Sequence, residues 1–157
     1  MTIRIGSDDS ERKVLADVAQ YGWHVVNILE EGDNPPWTFT IGLQKTWQHP
    51  EFIIIGLKKD VANAILDTLV NAIKERRPID LNLPTDELLH NGACCFVEVA
   101  KQHYADYVGF ARWYYQGDDF RLYQVVWPSK ENHFPWNAHA TDGYKQRQPV
   151  LGGTRTA

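Results

Sequence analysis

The sequence predicts an α+β fold with a mostly antiparallel sheet, and three observations carry that expectation. Two apolar strand patterns, "WTFTIGL" and "EFIIIGL", are joined by only "QKTWQHP", a link too short for the helical crossover that parallel neighbours need. Strand patterns then alternate with amphipathic helical ones along the rest of the chain. No glycine-rich phosphate loop follows the first strand, which argues against a doubly wound nucleotide-binding sheet. The expected arrangement is one domain over 1–157, with its core between about 8 and 153, a flexible C-terminal tail and two to three packed helices. The sheet has scope to curl into a partial barrel.

The first helix is read from "SDDSERKVLADVAQYGW", with Ser7 or Asp8 as N-cap, acidic residues in the first turn and Gly22 as the stop. Val14, Leu15 and Val18 form its apolar stripe. "WHVVNILE" follows as a strand apolar on both faces, broken by "EGDNPP". In "WTFTIGL", Trp37, Phe39 and Ile41 alternate with Thr38, Thr40 and Gly42, the period of a strand with one buried face. "EFIIIGL" supplies its antiparallel neighbour.

The clearest helix is "KKDVANAILDTLVNAIKERRP", which spaces Val61, Ile65, Leu69 and Ile73 four apart, with Asp60 as its expected N-cap and Pro78 beyond its basic end. A proline-punctuated stretch with a short helical turn at Asp86 to His90 leads to the strand "ACCFVEVA". "YADYVGFARWYYQG" reads as one helix and "FRLYQVVWP" as the last strand.

A formal charge of −4 and a pI near 5.8 provide no positive field for phosphate backbones, so nucleic acid is not an expected partner. The chain lacks a run near the ~20 apolar residues of a membrane helix, and its N-terminus lacks a secretory pattern. A cytoplasmic protein is expected. Cys94 and Cys95 are adjacent, a poor geometry for an ordinary mutual disulfide, and read as reduced core residues. The histidines show no metal-binding spacing, and no serine sits in a nucleophile elbow.

Two stretches remain as candidate surface. "HPE" places the imidazole of His49 close to the carboxylate of Glu51 at a turn. "QVVWPSKENHFPWN" divides into a strand end at Trp127, a polar turn, and a returning "HFPWN" whose His133 and Trp136 could line a cavity or seal the sheet. Arg112 lies among aromatics, where a guanidinium could clamp a carboxylate or phosphate. These five, His49, Glu51, Arg112, His133 and Trp136, are the candidate ligand or partner residues.

The blocks "YGWHVVNI", "PPWTFTIGLQKTWQHPEFIIIGL", "YVGFARWYYQG", "QVVWPSKENHFPWN" and "QPVLGG" resemble a bacterial family known as domain of unknown function 4262. The resemblance spans about Tyr21 to Gly153 and implies a stand-alone bacterial cytoplasmic domain, with no catalytic residue to carry over. The succession of two strands and a long helix is also similar to split-barrel flavin-binding proteins, although the expected cluster of phosphate-binding side chains is not evident.

The functional expectation is a non-catalytic binding or interaction protein using an aromatic-rich surface, with an immunity or antitoxin-type inhibitor as one concrete form. A small acidic protein would steer onto a basic target. The alternative is a small-molecule or flavin-dependent enzyme with a His/Glu/Arg pocket. A homodimer is a third possibility.

Overall fold

The computed structural model describes residues 8–153. Among the described residues, twelve elements follow one another: α1 (Asp9–Tyr21), β1 (His24–Ile28), β2 (Trp37–Ile41), α2 (Leu43–Trp47), β3 (Glu51–Ile55), α3 (Lys59–Lys74), β4 (Cys95–Glu98), a 3-10 turn (Lys101–His103), α4 (Tyr104–Tyr107), α5 (Gly109–Tyr115), β5 (Leu122–Val126) and α6 (Asp142–Arg147). The class is α+β, as the alternation of patterns predicts.

The five strands form one sheet in the order β1-β2-β3-β5-β4. Three of its four pairings are antiparallel, including β2 with β3, where Phe39 faces Ile53. The pairing of β3 with β5 is parallel, setting Glu51 opposite Leu122. The sheet is open, which corrects the expectation of a partial barrel. Closure would need β1 to pair with β4, but these are its two edges, and both faces are already covered.

Alternation along each strand sorts the core into two layers. Phe39, Ile41, Ile53, Ile55 and Leu122 pack on one face with Val14 and Val18 of α1 and Tyr104, Ala111 and Tyr114 of α4 and α5. Phe52, Ile54, Phe96 and Val125 point the other way, against Ile65, Leu66, Leu69, Val70 and Ile73 of α3. Each fully buried Ile or Phe contributes about 1.5–3 kcal/mol of transfer free energy. A third cluster, Cys95, Val97 and Val126, extends the first face towards β4 and lies under Phe134, Trp136 and Val150.

The first helix starts as expected: the Asp8 carboxylate accepts from the Glu11 amide at 2.8 Å, and the Gly22 N–H closes the helix on the Val18 carbonyl. The other proposed cap, Ser7, lies outside the described residues, as do residues 154–157, on which the flexible tail was placed. Lys58, not Asp60, takes the cap position of α3; Asp60 sits in the first turn, where its charge still favours the helix dipole. Val61 is on the exposed side, so the buried stripe is carried by Ile65, Leu69 and Ile73 with Leu66 and Val70.

The link "QKTWQHP" contains part of a helix, α2, within the antiparallel connection that the sequence predicts. Two local expectations need correction. The single helix expected over "YADYVGFARWYYQG" is broken at Val108, whose backbone leaves helical geometry; the indole of Trp37 donates to the Tyr107 carbonyl at that break, at 2.8 Å. No helical turn forms at Asp86 to His90. Thr85 is tied to Cys94 by two backbone bonds, and its hydroxyl accepts from the Glu87 amide, a local turn that competes with a helix start.

Candidate functional site

Glu51 opens β3 with its carboxylate turned into the protein, and its exposure is 0%. Its oxygens accept from five donors: the Thr40 hydroxyl at 2.7 Å, the amides of Gly42, Leu43 and Gln44 at 3.1, 3.3 and 3.2 Å, and the Tyr115 hydroxyl. These three amides are orphan donors at the start of α2, which Gly42 begins without a side-chain cap. A carboxylate eight residues downstream of Leu43 therefore does what an N-cap side chain usually does.

The surroundings hold this arrangement from several sides. Gly42 has φ 109° and sits so near Gly22 that an added Cβ would lie 2.9 Å from the Gly22 carbonyl oxygen, so both conformation and space call for glycine. Thr40 accepts from the Phe52 amide at 3.0 Å while donating to Glu51, which fixes its rotor. Tyr115, from α5, accepts from the amides of Gly42 and Lys45 at 3.2 and 3.3 Å. Burial pushes the Glu51 carboxyl up to about 7, against the opposing pull of Tyr115, Thr40 and the α2 amides. Tyr115 is also driven above the usual phenol range, first by burial and then by the charge of Glu51.

His49, two residues away, turns to other partners. Its Nδ1 donates to the Pro50 carbonyl at 2.9 Å, and its ring rests on Phe52 with centroids 5.4 Å apart. Burial lowers its pKa, opposed by the Pro50 hydrogen bond. Arg112 pairs with Asp118 at 2.6 Å, both about 40% exposed, a setting in which an ion pair contributes ~0–1 kcal/mol.

His133 and Trp136 belong to another region. Trp136 stacks on Phe134, centroids 5.1 Å apart, over the Cys95, Val97 and Val126 cluster, and the His133 ring lies 5.9 Å from that of His139. Val126 is four residues beyond Leu122, the partner of Glu51, hence roughly 13 Å along the strand at ~3.3 Å per residue. The five candidate residues therefore occupy three separate neighbourhoods. The structure brings Glu51 together with Thr40, Tyr115 and the start of α2, and sets His133 beside His139 and Trp136 beside Phe134 on one loop.

The loop carrying His133 and Trp136 is braced from beneath. Trp127 packs with the α3-side core, its indole donates to the Ile55 carbonyl at 2.8 Å, and its own carbonyl accepts from Tyr144 at 2.6 Å and Gln148 at 2.8 Å. The Trp127 amide donates in turn to Gln148 at 2.9 Å. Ser129 and His133 close the "SKEN" turn with a backbone bond of 2.8 Å, and the Ser129 hydroxyl accepts from the His133 amide. Two buried polar atoms of this loop, His133 Nδ1 and Trp136 Nε1, have no hydrogen-bond partner among the described residues. Orphaned polar atoms of this kind are uncommon and cost about 1–3 kcal/mol each.

Sequence reasoning missed the two buried glutamines that dock the chain's end. Gln124 on β5 donates to the Pro149 carbonyl at 2.8 Å and accepts from the Leu151 amide at 2.9 Å; Gln148 clamps Trp127 as described. Only a polar residue inside the otherwise apolar run "LYQVVW" hinted at such a contact. Tyr115 was legible as one of several helix aromatics, yet nothing local marked its hydroxyl as the partner of an acid 64 residues earlier.

Cys94, just before β4, and Cys95, its first residue, are both buried, outside any disulfide and in different core clusters, and burial, with Cys95 adding to it, pushes the Cys94 thiol up to about 12. Among the described residues, no three His, Cys, Asp or Glu side chains are grouped to hold a metal ion, and no helix is long and apolar enough to cross a membrane.

These features define a small α+β protein with helices on both faces of an open mixed sheet, a buried acid at the mouth of a short helix and an aromatic loop over one sheet edge. The chain belongs to the family described as Domain of unknown function (DUF4262), whose sequence model matches residues 17–141. No curated protein and no solved structure matches the chain.

Proposed function

We propose that the protein is a non-catalytic binding or interaction protein, of the immunity or antitoxin type, that engages a protein partner through the aromatic loop 128–139. The observation that supports this most directly is the pair of orphaned atoms, His133 Nδ1 and Trp136 Nε1, on a loop whose base is firmly braced. A modest rearrangement at the loop's rim gives both atoms a hydrogen-bonding partner, so binding recovers free energy that the isolated fold leaves unrealised. Phe134 and Trp136 supply aromatic area of the kind that anchors interfaces. The net charge of −4 favours a basic target and a cytoplasmic setting agrees with the reduced cysteines.

The test is affinity purification of the full chain from its native host, comparing wild type with the exposed-rim double variant Lys130→Glu and His139→Ala. A partner retained reproducibly by wild type and lost by the variant, then reconstituted from purified components, is the expected result. Retention of the same proteins by both forms, or of none, refutes the assignment to this loop.

A further inference from the structure

The β1–β2 ladder ends where Ile28 faces Trp37, and the connection beyond it folds back through paired backbone bonds between Glu31 and Asn34. Across from this turn lies the end of α4. Between them is a cleft of about 300 Å³ whose walls include Ile28, Leu29, Glu31, Trp37, Asp106 and Tyr107. It sits at the β1 edge of the sheet, while the aromatic loop covers the β4 edge.

The two rings of the cleft are fixed relative to one another. Trp37 donates its indole N–H to the Tyr107 carbonyl at 2.8 Å, and the rings meet edge to face with centroids 5.0 Å apart. Both side chains are half-buried, with one part in the core and another towards the cleft. Leu29, 75% exposed, leaves an apolar lip at the mouth.

The charge in this cleft has one sign. Glu31 and Asp106 are exposed carboxylates with no ion-pair partner among the described residues, and no lysine or arginine lines the cleft. Aromatic faces carry the negative part of the ring quadrupole and attract cations, most strongly when carboxylates stand nearby and apolar walls exclude water. An anion would meet repulsion from both carboxylates. A neutral apolar group would gain nothing from them. The complement to this combination is a cation with an apolar body.

We propose that the cleft lined by Trp37 and Tyr107 and flanked by Glu31 and Asp106 binds an organic cation: an alkylammonium or guanidinium group. The group comes from a free amine or from a basic side chain of a protein, and the chemistry of recognition is the same for both. This site stands on residues separate from the aromatic loop, so its failure and the failure of the loop assignment are distinguishable.

The experiment follows the indole N–H resonance of Trp37 by NMR in the full chain, assigned with Trp37→Phe. Three probes are titrated: choline, its uncharged isostere neohexyl alcohol, and a capped tripeptide with a central arginine. The cations are expected to shift the resonance at concentrations at least about tenfold below the alcohol, a margin within the reach of one cation–π contact reinforced by carboxylates. The double variant Glu31→Gln and Asp106→Asn, altered only at exposed positions, keeps its fold by circular dichroism and loses the preference for the cations. A stronger response to the tripeptide than to choline assigns the cation to a protein partner, the reverse to a free amine, and either upholds the site. An equal response to the alcohol, an unaltered response in the double variant, or no shift with any probe overturns it.

Discussion

The Tyr115 hydroxyl donates to the Glu51 carboxylate and accepts from the amides of Gly42 and Lys45, so one phenol closes the start of α2 against a buried acid. Removing that oxygen leaves the Lys45 amide without this acceptor and takes one of five donors from the Glu51 carboxylate, whereas the Gly42 amide keeps Glu51 as its acceptor. Tyr115→Phe is therefore expected to lower stability by about 1–2 kcal/mol, the range for the loss of one such hydrogen bond. Urea denaturation should show a lower midpoint with an unchanged slope.

Glu51 links the fold to pH. Its carboxyl is raised from 4.5 to about 7 in the folded protein, so the native state holds this proton more tightly than the unfolded chain does. The contribution is present in full below the unfolded value and is lost as pH rises through about 7, at up to ~1.4 kcal/mol per pH unit. Stability measured between these limits should fall with rising pH, and the slope should vanish in Glu51→Gln. That variant should be less stable at acidic pH, where the wild-type contribution is present in full, and the difference should shrink as pH rises through about 7.

Asp17 acts in the opposite direction. It is 2.8 Å from His24 and 2.9 Å from Lys13, and although burial pushes its carboxyl up, the hydrogen bonds from His24 and Lys13 hold it below the usual value. Its stabilisation is present above the unfolded pKa and disappears as pH falls through the folded one. Asp17→Asn should lose about 1 kcal/mol near neutrality and show a shallower acid-unfolding limb, read by circular dichroism between pH 5 and pH 2, flanking the ~3.9 of a free aspartate.

Gly152 passes so close to β4 that an added Cβ would lie 1.9 Å from the Glu98 carbonyl oxygen. Gly152→Ala must move backbone, and about 2–3 kcal/mol is expected to be lost. Hydrogen exchange should accelerate at the amides of Ala100 and Leu151, which bond the Leu151 carbonyl and Gln124 respectively.

The thiols should be silent. Both cysteines are buried, and Cys94 stays protonated far above neutrality, so native protein should resist a thiol-specific chromophore until urea unfolds it.

The elements that the sequence revealed are those decided by local pattern. Period-2 alternation marks β2, four-residue spacing marks α3, and Asp8 with Gly22 brackets α1 because cap chemistry is written in neighbouring residues. The short helix α2 escaped because its N-terminal acceptor, Glu51, lies in the next strand. "HPE" did draw attention to Glu51, but as a surface acid; its five donors come from β2, α2 and α5, which meet only in the folded chain. The cleft at Trp37 and Tyr107 was hidden for the same reason, since the two residues are 70 positions apart and meet where the helical pattern breaks at Val108.

The strand order also sets a sequence of events for a growing chain. β5 lies between β3 and β4 in the sheet, yet follows both along the sequence. During synthesis, Cys95–Glu98 therefore emerges before its strand partner exists, and β3 waits with one side unpaired until Leu122–Val126 arrives. The last strand to be made is the one that joins the two parts of the sheet. Gln124 of that strand and Gln148 just beyond then draw in the chain's end, so the fold is completed from its C-terminal third.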